Sequence, residues 1–152
     1  MFVLFLVGVA ALNPRVVPVS AEEAIRARVP SELAYIPTTR PRSYRYASWM
    51  QARKRPRELT IWFRWRDARD PGLGFNVGEG CPEFGSSMRR FRFRTRRVQW
   101  STTNTNAQAW RCAKRGRHTI YFYVSAPGYM LDGAPSPRAL ALMIASARHV
   151  AR

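Results

Sequence analysis

The chain has 152 residues, 46% of them hydrophobic, and a formal net charge of +17. That apolar content, with five tryptophans, excludes a disordered polypeptide, and the length is that of one domain rather than several. Only Lys54 and Lys114 are lysines among the 26 basic residues; a GC-rich genome, as in many bacteria, produces such an arginine bias, but the charge excess itself implies attraction to polyanions.

Phe2 to Leu12 is an unbroken apolar run closed by Asn13-Pro14. As a helix it would reach roughly 16 Å, against the roughly 30 Å of a bilayer core. It therefore reads as the apolar region of a signal peptide. Val19-Ser20-Ala21 offers the small or apolar residues that signal peptidase needs at −3 and −1, with Glu22 next. Residues 1–21 are expected to be that signal, with an uncleaved N-terminal membrane anchor as the alternative. No Lys or Arg precedes the run, so only the terminal amine supplies positive charge there, and no nearby cysteine allows a lipoprotein.

Residues 22–34 are polar and predict a linker or a short helix ending before Pro30. From Tyr35 the pattern becomes β-like. Ser43–Met50 is an alternating aromatic strand, and Glu58–Arg66 places Leu59, Ile61, Phe63 and Trp65 on one face. Gln51–Arg57 predicts a basic hairpin loop between them, because Pro56 cannot donate to a ladder. After an Asp70-Pro71-Gly72 turn, Leu73–Val77 is a short strand and Gly78–Ser87 a glycine-rich loop. Arg89–Arg94 and Arg97–Ser101 predict a hairpin turning near Thr95. Gln108–Ala113 and Arg117–Ser125 predict another, turning at Lys114–Gly116, where Gly116 can take positive φ.

A helix closes the chain. Ser136 is its cap and Pro137 its first residue, and Leu140, Met143, Ile144, Ala147 and Val150 follow the spacing of one buried face. Residues 35–152 thus predict a single α+β domain: an antiparallel sheet of about seven strands with one C-terminal helix packed on it.

Cys81 and Cys112 are the only cysteines and neither lies in a Cys-x-x-Cys pair. They predict one disulfide, formed in an oxidising compartment; a catalytic or metal-binding thiol is the alternative reading. In the arginine comb at residues 89–97, Arg90, Arg92 and Arg94 are expected on one face of a strand, with Phe91 and Phe93 on the other. Same-face neighbours stand about 6.8 Å apart, close to the phosphate spacing of an extended polyanion. Their repulsion in water, about 0.6 kcal/mol per pair, is a cost that an anion would relieve. The alternative is a solvated face whose long stems cover apolar surface. Arg53, Lys54 and Arg55 are expected either to flank the same anion-binding surface or to be a solvated loop. The aromatic residues near these arginines are expected in a core or in cross-strand pairs rather than stacked on bases, with Trp110 packed over the disulfide.

No catalytic, metal or cofactor site is predicted. His118 falls on the Ile120/Phe122 face, and His149 in the last turn of the closing helix, where it favours the dipole. Asp67, Asp70, Glu79, Glu83 and Asp132 fall in loops without paired spacing. Ser20, Ser86 and Ser87 lack a nucleophile elbow, and Gly72, Gly74, Gly78 and Gly80 miss the ending of a phosphate loop.

Three segments carry a resemblance: Tyr35-Ile36-Pro37 with Pro41 and Tyr44, Ala109-Trp110-Arg111-Cys112, and the helix Leu142–Ala147. Together they resemble small exported bacterial proteins of unknown function, whose sheet is related to the extracytoplasmic domains of some anti-sigma factors. The resemblance spans roughly residues 33–150 and implies a fold and an envelope location, not an activity. It departs at 94–96, where Arg-Thr-Arg replaces an Asp/Gly/Asn-rich turn. No cytoplasmic sigma-binding region is expected ahead of the domain, so no signalling role is carried across.

The expected function is that of a secreted or cell-envelope, non-enzymatic interaction domain. The alternative is binding of a polyanion (nucleic acid, cell-wall polymer or anionic membrane surface) through the arginine-rich sheet face. A small hydrolase is a third reading.

Overall fold

Seven strands share one inner face because their apolar residues alternate in phase. The computed structural model describes residues 15–66, 72–84, 89–102, 106–127 and 135–150. The expectations for residues 1–14, Asp67, Asp70, Pro71, Ser86, Ser87 and Asp132 lie outside them. A helix α1 (Val19–Arg28) and a 3₁₀ turn (Ser31–Leu33) lead to a two-residue strand β1 (Tyr35–Ile36). The hairpin β2 (Tyr44–Lys54) and β3 (Arg57–Trp65) follows, then β4 (Leu73–Glu79). Two further hairpins come next: β5 (Arg89–Phe93) with β6 (Arg96–Thr102), and β7 (Asn106–Arg115) with β8 (His118–Pro127). Helix α2 (Pro137–Ala145) and strand β9 (Arg148–His149) complete the order. The large sheet runs β2-β3-β4-β8-β7-β6-β5, antiparallel throughout, and β1 pairs with β9 in a separate ribbon.

The register explains the core. Ile61, Phe75, Val124 and Ala109 stand opposite one another across β3, β4, β8 and β7, and all four are fully buried. Helix α2 lies over this inner face beside β5 to β8, burying Leu140, Met143 and Ile144. The Ser136 side chain accepts a bond from the Ala139 amide at 3.1 Å, as a capping residue should. At the other end Arg96 donates to the carbonyls of Ala145 and Ala147 at 2.6 and 2.8 Å. A cation there satisfies carbonyls that the helix leaves open. The fold is the α+β layer predicted.

Four local expectations are corrected. The basic segment 51–57 is not a loop: residues 51–54 pair in register with 57–60, and only Arg55 and Pro56 turn. Pro56 needs no partner in that position, so the ladder closes on either side of it. Helix α2 ends at Ala145, and Ala147 and Val150 are buried from the segment beyond it. His149 therefore lies in β9, its ring 5.1 Å from that of Tyr35 and its Nε2 2.7 Å from the Ser31 carbonyl oxygen. Finally, α1 begins at Val19, three residues before the expected start of the linker.

The start of α1 is part of the core. Val17 and Ala21 are buried, and the Glu22 carboxylate, 3% exposed, meets Arg15 at 3.3 Å, Arg26 at 3.5 Å and Arg148 at 2.5 Å. One carboxylate so joins the helix to the strand that follows α2. The junction expected after Ala21 falls inside the first turn of α1.

On the outer face, Gly78 is opposite Tyr121. A Cβ at Gly78 would lie 2.2 Å from Tyr121 Cζ, so only glycine lets the ring lie across β4. The Tyr121 hydroxyl donates to the Glu58 carboxylate. Burial raises the Tyr121 pKa above its ordinary value, and the Glu58 carboxylate adds to the rise. Above pH 10 the unfolded chain loses this proton while the folded one holds it, so stability falls as pH climbs through that range. Gly78→Ala is expected to cost about 1–3 kcal/mol through overpacking, and to let Tyr121 ionise nearer the ordinary tyrosine range. Absorbance titration of the phenolates reads this directly; an unchanged titration in the variant would refute the packing argument.

Candidate anion-binding site

The arginines of residues 89–97 go to three different places, and the strand pleat decides which. Arg89 lies over the Trp100 ring at 5.2 Å and Arg94 over the Phe93 ring at 5.4 Å, with Arg138 from α2 over Phe91 at 5.9 Å. These guanidiniums cover half-buried aromatic faces, as long cationic stems do at the rim of a core. Arg96 is spent on the end of α2. Only Arg90, Arg92 and Arg97 remain on the outer face.

The expected trio is thus corrected at one member. Arg94 is a turn residue with φ +54°, so it leaves the alternation of β5 and folds back on Phe93. Arg97 takes its place, directly opposite Arg92 across β5 and β6, while Arg90 faces Gln99. Like charges on directly opposed residues disfavour the pairing, and all three arginines are exposed. Among the described residues no carboxylate forms an ion pair with any of them. Arg97 was findable in the sequence: once Thr95 is taken as the turn, alternation along Arg96–Thr102 puts it on the Arg92 face.

Arg90 and Arg97 line a concavity of about 540 Å³ together with Gln99, Trp110, Phe84 and the Cys81–Cys112 disulfide, and Glu83 also contributes to the lining. The disulfide joins the segment after β4 to the outer face of β7, with Cα atoms 5.7 Å apart, inside the normal range. It fixes Phe84, three residues on, over the sheet. The Phe84 ring stacks on Tyr123 at 5.0 Å and packs against Trp110 at 5.8 Å. Trp110, 4% exposed, is held under this cover and lines the same concavity as the bridge.

Arg53, Lys54 and Arg55 do not flank this surface. They belong to the β2–β3 hairpin at the opposite edge of the sheet, about 29 Å away across six strand spacings. The sequence places the two basic segments 35 residues apart but carries no strand order. On the inner face, Arg111 lies half-buried over Phe122 at 6.0 Å. Burial lowers its pKa most, and Arg96 and Arg115 lower it further.

The groups considered for catalysis are scattered. His118 is exposed at the start of β8, opposite Arg115, and His149 packs on Tyr35. Glu58 is bonded to Tyr121 and Glu79 pairs with Arg57 at 3.6 Å. Among the described residues no three His, Cys, Asp or Glu side chains gather as metal ligands, and no helix is long and apolar enough to cross a membrane. Comparison with known protein families, with curated proteins and with solved structures finds no match to the chain.

Proposed function

We propose that the protein is an extracytoplasmic, non-enzymatic interaction domain that binds an anionic polymer through Arg90, Arg92 and Arg97. The observation that carries this reading is the opposed Arg92–Arg97 pair with Arg90 beside it, exposed and without a carboxylate partner among the described residues. Three guanidiniums on one rigid hairpin offer bidentate donors to successive phosphates or sulfates. Such contacts position a polymer but read little of its sequence. The extracytoplasmic location is supported by the disulfide and by the apolar run at residues 2–12.

The test is a salt series. Labelled duplex DNA and heparin are titrated against the protein, and log affinity is plotted against log salt. The slope counts phosphates neutralised. Arg90→Ser/Arg92→Ser/Arg97→Ser is expected to reduce the magnitude of the DNA slope by about 2–3, while Arg53→Ser/Arg55→Ser at the far edge leaves it less changed. Unaltered slope and affinity in the triple variant would overturn the proposal. Because β5 is an edge strand, its charges also discourage pairing with a second chain. Gel filtration of the same variant separates that role: self-association with intact polymer binding would assign the arginines to edge protection.

A further inference from the structure

A second concavity lies at the other edge of the sheet, between the end of α1 and the inner face of β2 and β3. Its volume is about 550 Å³, within the roughly 300–1,000 Å³ of small-ligand sites. Helix α2 packs beside β5 to β8, and α1 ends at Arg28, which leaves this part of the inner face open among the described residues. Met50, Ala52 and Leu59 supply strand-borne apolar lining, and Ala24, Val29 and Pro30 supply more from α1 and the segment after it. Alternation puts Met50, Ala52 and Leu59 on the core side of the sheet, so the groove continues the core beyond the cover that the described residues supply.

Its lining also includes Arg28, Arg53, Lys54 and Arg57. Arg57 is engaged by Glu32 and Glu79, and the carboxylate of the lining, Glu58, accepts from Tyr121. Arg28 and Lys54 are exposed, and among the described residues no carboxylate forms an ion pair with them; Arg53, opposite Glu58, is turned to the outer face by the same alternation. An extended polyanion would satisfy these cations but leave the apolar lining wet. A neutral apolar molecule would cover that lining and leave the cations unanswered. Only a ligand with an apolar tail and an anionic head complements both.

We propose that this groove binds a single-chain anionic amphiphile, a fatty-acid carboxylate, with its alkyl chain against Met50, Ala52 and Leu59 and its head group at Arg28 and Lys54. The site is separate from the outer-face arginines and does not depend on them. The test is calorimetric titration of the full protein with laurate below its micelle concentration, with acetate as a head-only probe and dodecyl maltoside as an uncharged-head probe. Laurate is expected to saturate one site, acetate to give no heat of binding, and the maltoside to bind about tenfold more weakly, the loss expected for one charge-assisted contact. Ala52→Trp, which fills the groove from an exposed position, is expected to abolish laurate binding. Arg28→Glu/Lys54→Glu, both on the surface, is expected to weaken it about tenfold while leaving the melting temperature unchanged. Absence of saturable laurate binding, unchanged affinity in either variant, or equal affinity for the maltoside would overturn the proposal. Polymer binding by the β5–β6 face is measured separately and is unaffected by either outcome.

Discussion

Removal of the Cys81–Cys112 bridge is expected to cost about 3–4 kcal/mol, because it closes a loop of 31 residues whose freedom in the unfolded chain the cross-link suppresses. For a domain of this size that is a fall in melting temperature of about 10 °C. The comparison is a thermal melt of the oxidised protein against the reduced protein and against Cys81→Ser/Cys112→Ser. A local signature accompanies the global one. Phe84 is held over Trp110 and Tyr123 by the bridge three residues away. Without it this cover loosens, Trp110 gains water, and its fluorescence shifts to the red. Identical melts with and without reductant would mean that the thiols are not joined, and would remove the chief support for an oxidising compartment.

Phe75→Ala is expected to be at least as damaging, at about 3–5 kcal/mol. Phe75 sits on the central strand β4 with Ile61 on one side and Val124 on the other, and its ring lies 6.5 Å from that of Phe122. Every one of these neighbours is pinned in a paired strand, so the cavity left by the ring cannot collapse. The same truncation at Phe91, half-buried on the edge strand β5, is expected to cost only about 1–2 kcal/mol, mainly as lost transfer energy. Denaturant unfolding of the two variants measures the contrast. Equal losses would show that the edge hairpin, not the β3–β4–β8 row, holds the sheet.

The elements with strong local signals are legible in the residues themselves. Leu59, Ile61 and Phe63 alternate without interruption, so β3 and its buried face follow from a period of two. Ser136 and Pro137 announce the start of α2, and Gly116 marks the β7–β8 turn. The misjudged positions are those where neighbours in space outweigh neighbours in sequence. Ala147 and Val150 continue the helical spacing of α2 and carry His149 into its expected last turn, yet the chain leaves the helix after Ala145, and β9 pairs with the distant β1. The polar look of residues 22–34 fits a linker or a short helix alike; the helix that forms packs on the core, with Glu22 buried among arginines that include Arg15 and the distant Arg148. Arg94 obeys the alternation on paper but occupies a turn, where φ +54° turns its side chain onto Phe93.

The class of fold, the closing helix, the single disulfide and the strong positive charge all follow from the order of residues, because each depends on periodicity, capping or composition that is written locally. Which arginines share a face was settled only on assembly. Strand order sends the 53–55 and 89–97 segments to opposite edges, and cross-strand register replaces Arg94 with Arg97 beside Arg90 and Arg92. Pairing between distant strands is chosen by how a whole apolar face is buried, and that energy belongs to the assembled sheet rather than to any one segment of it.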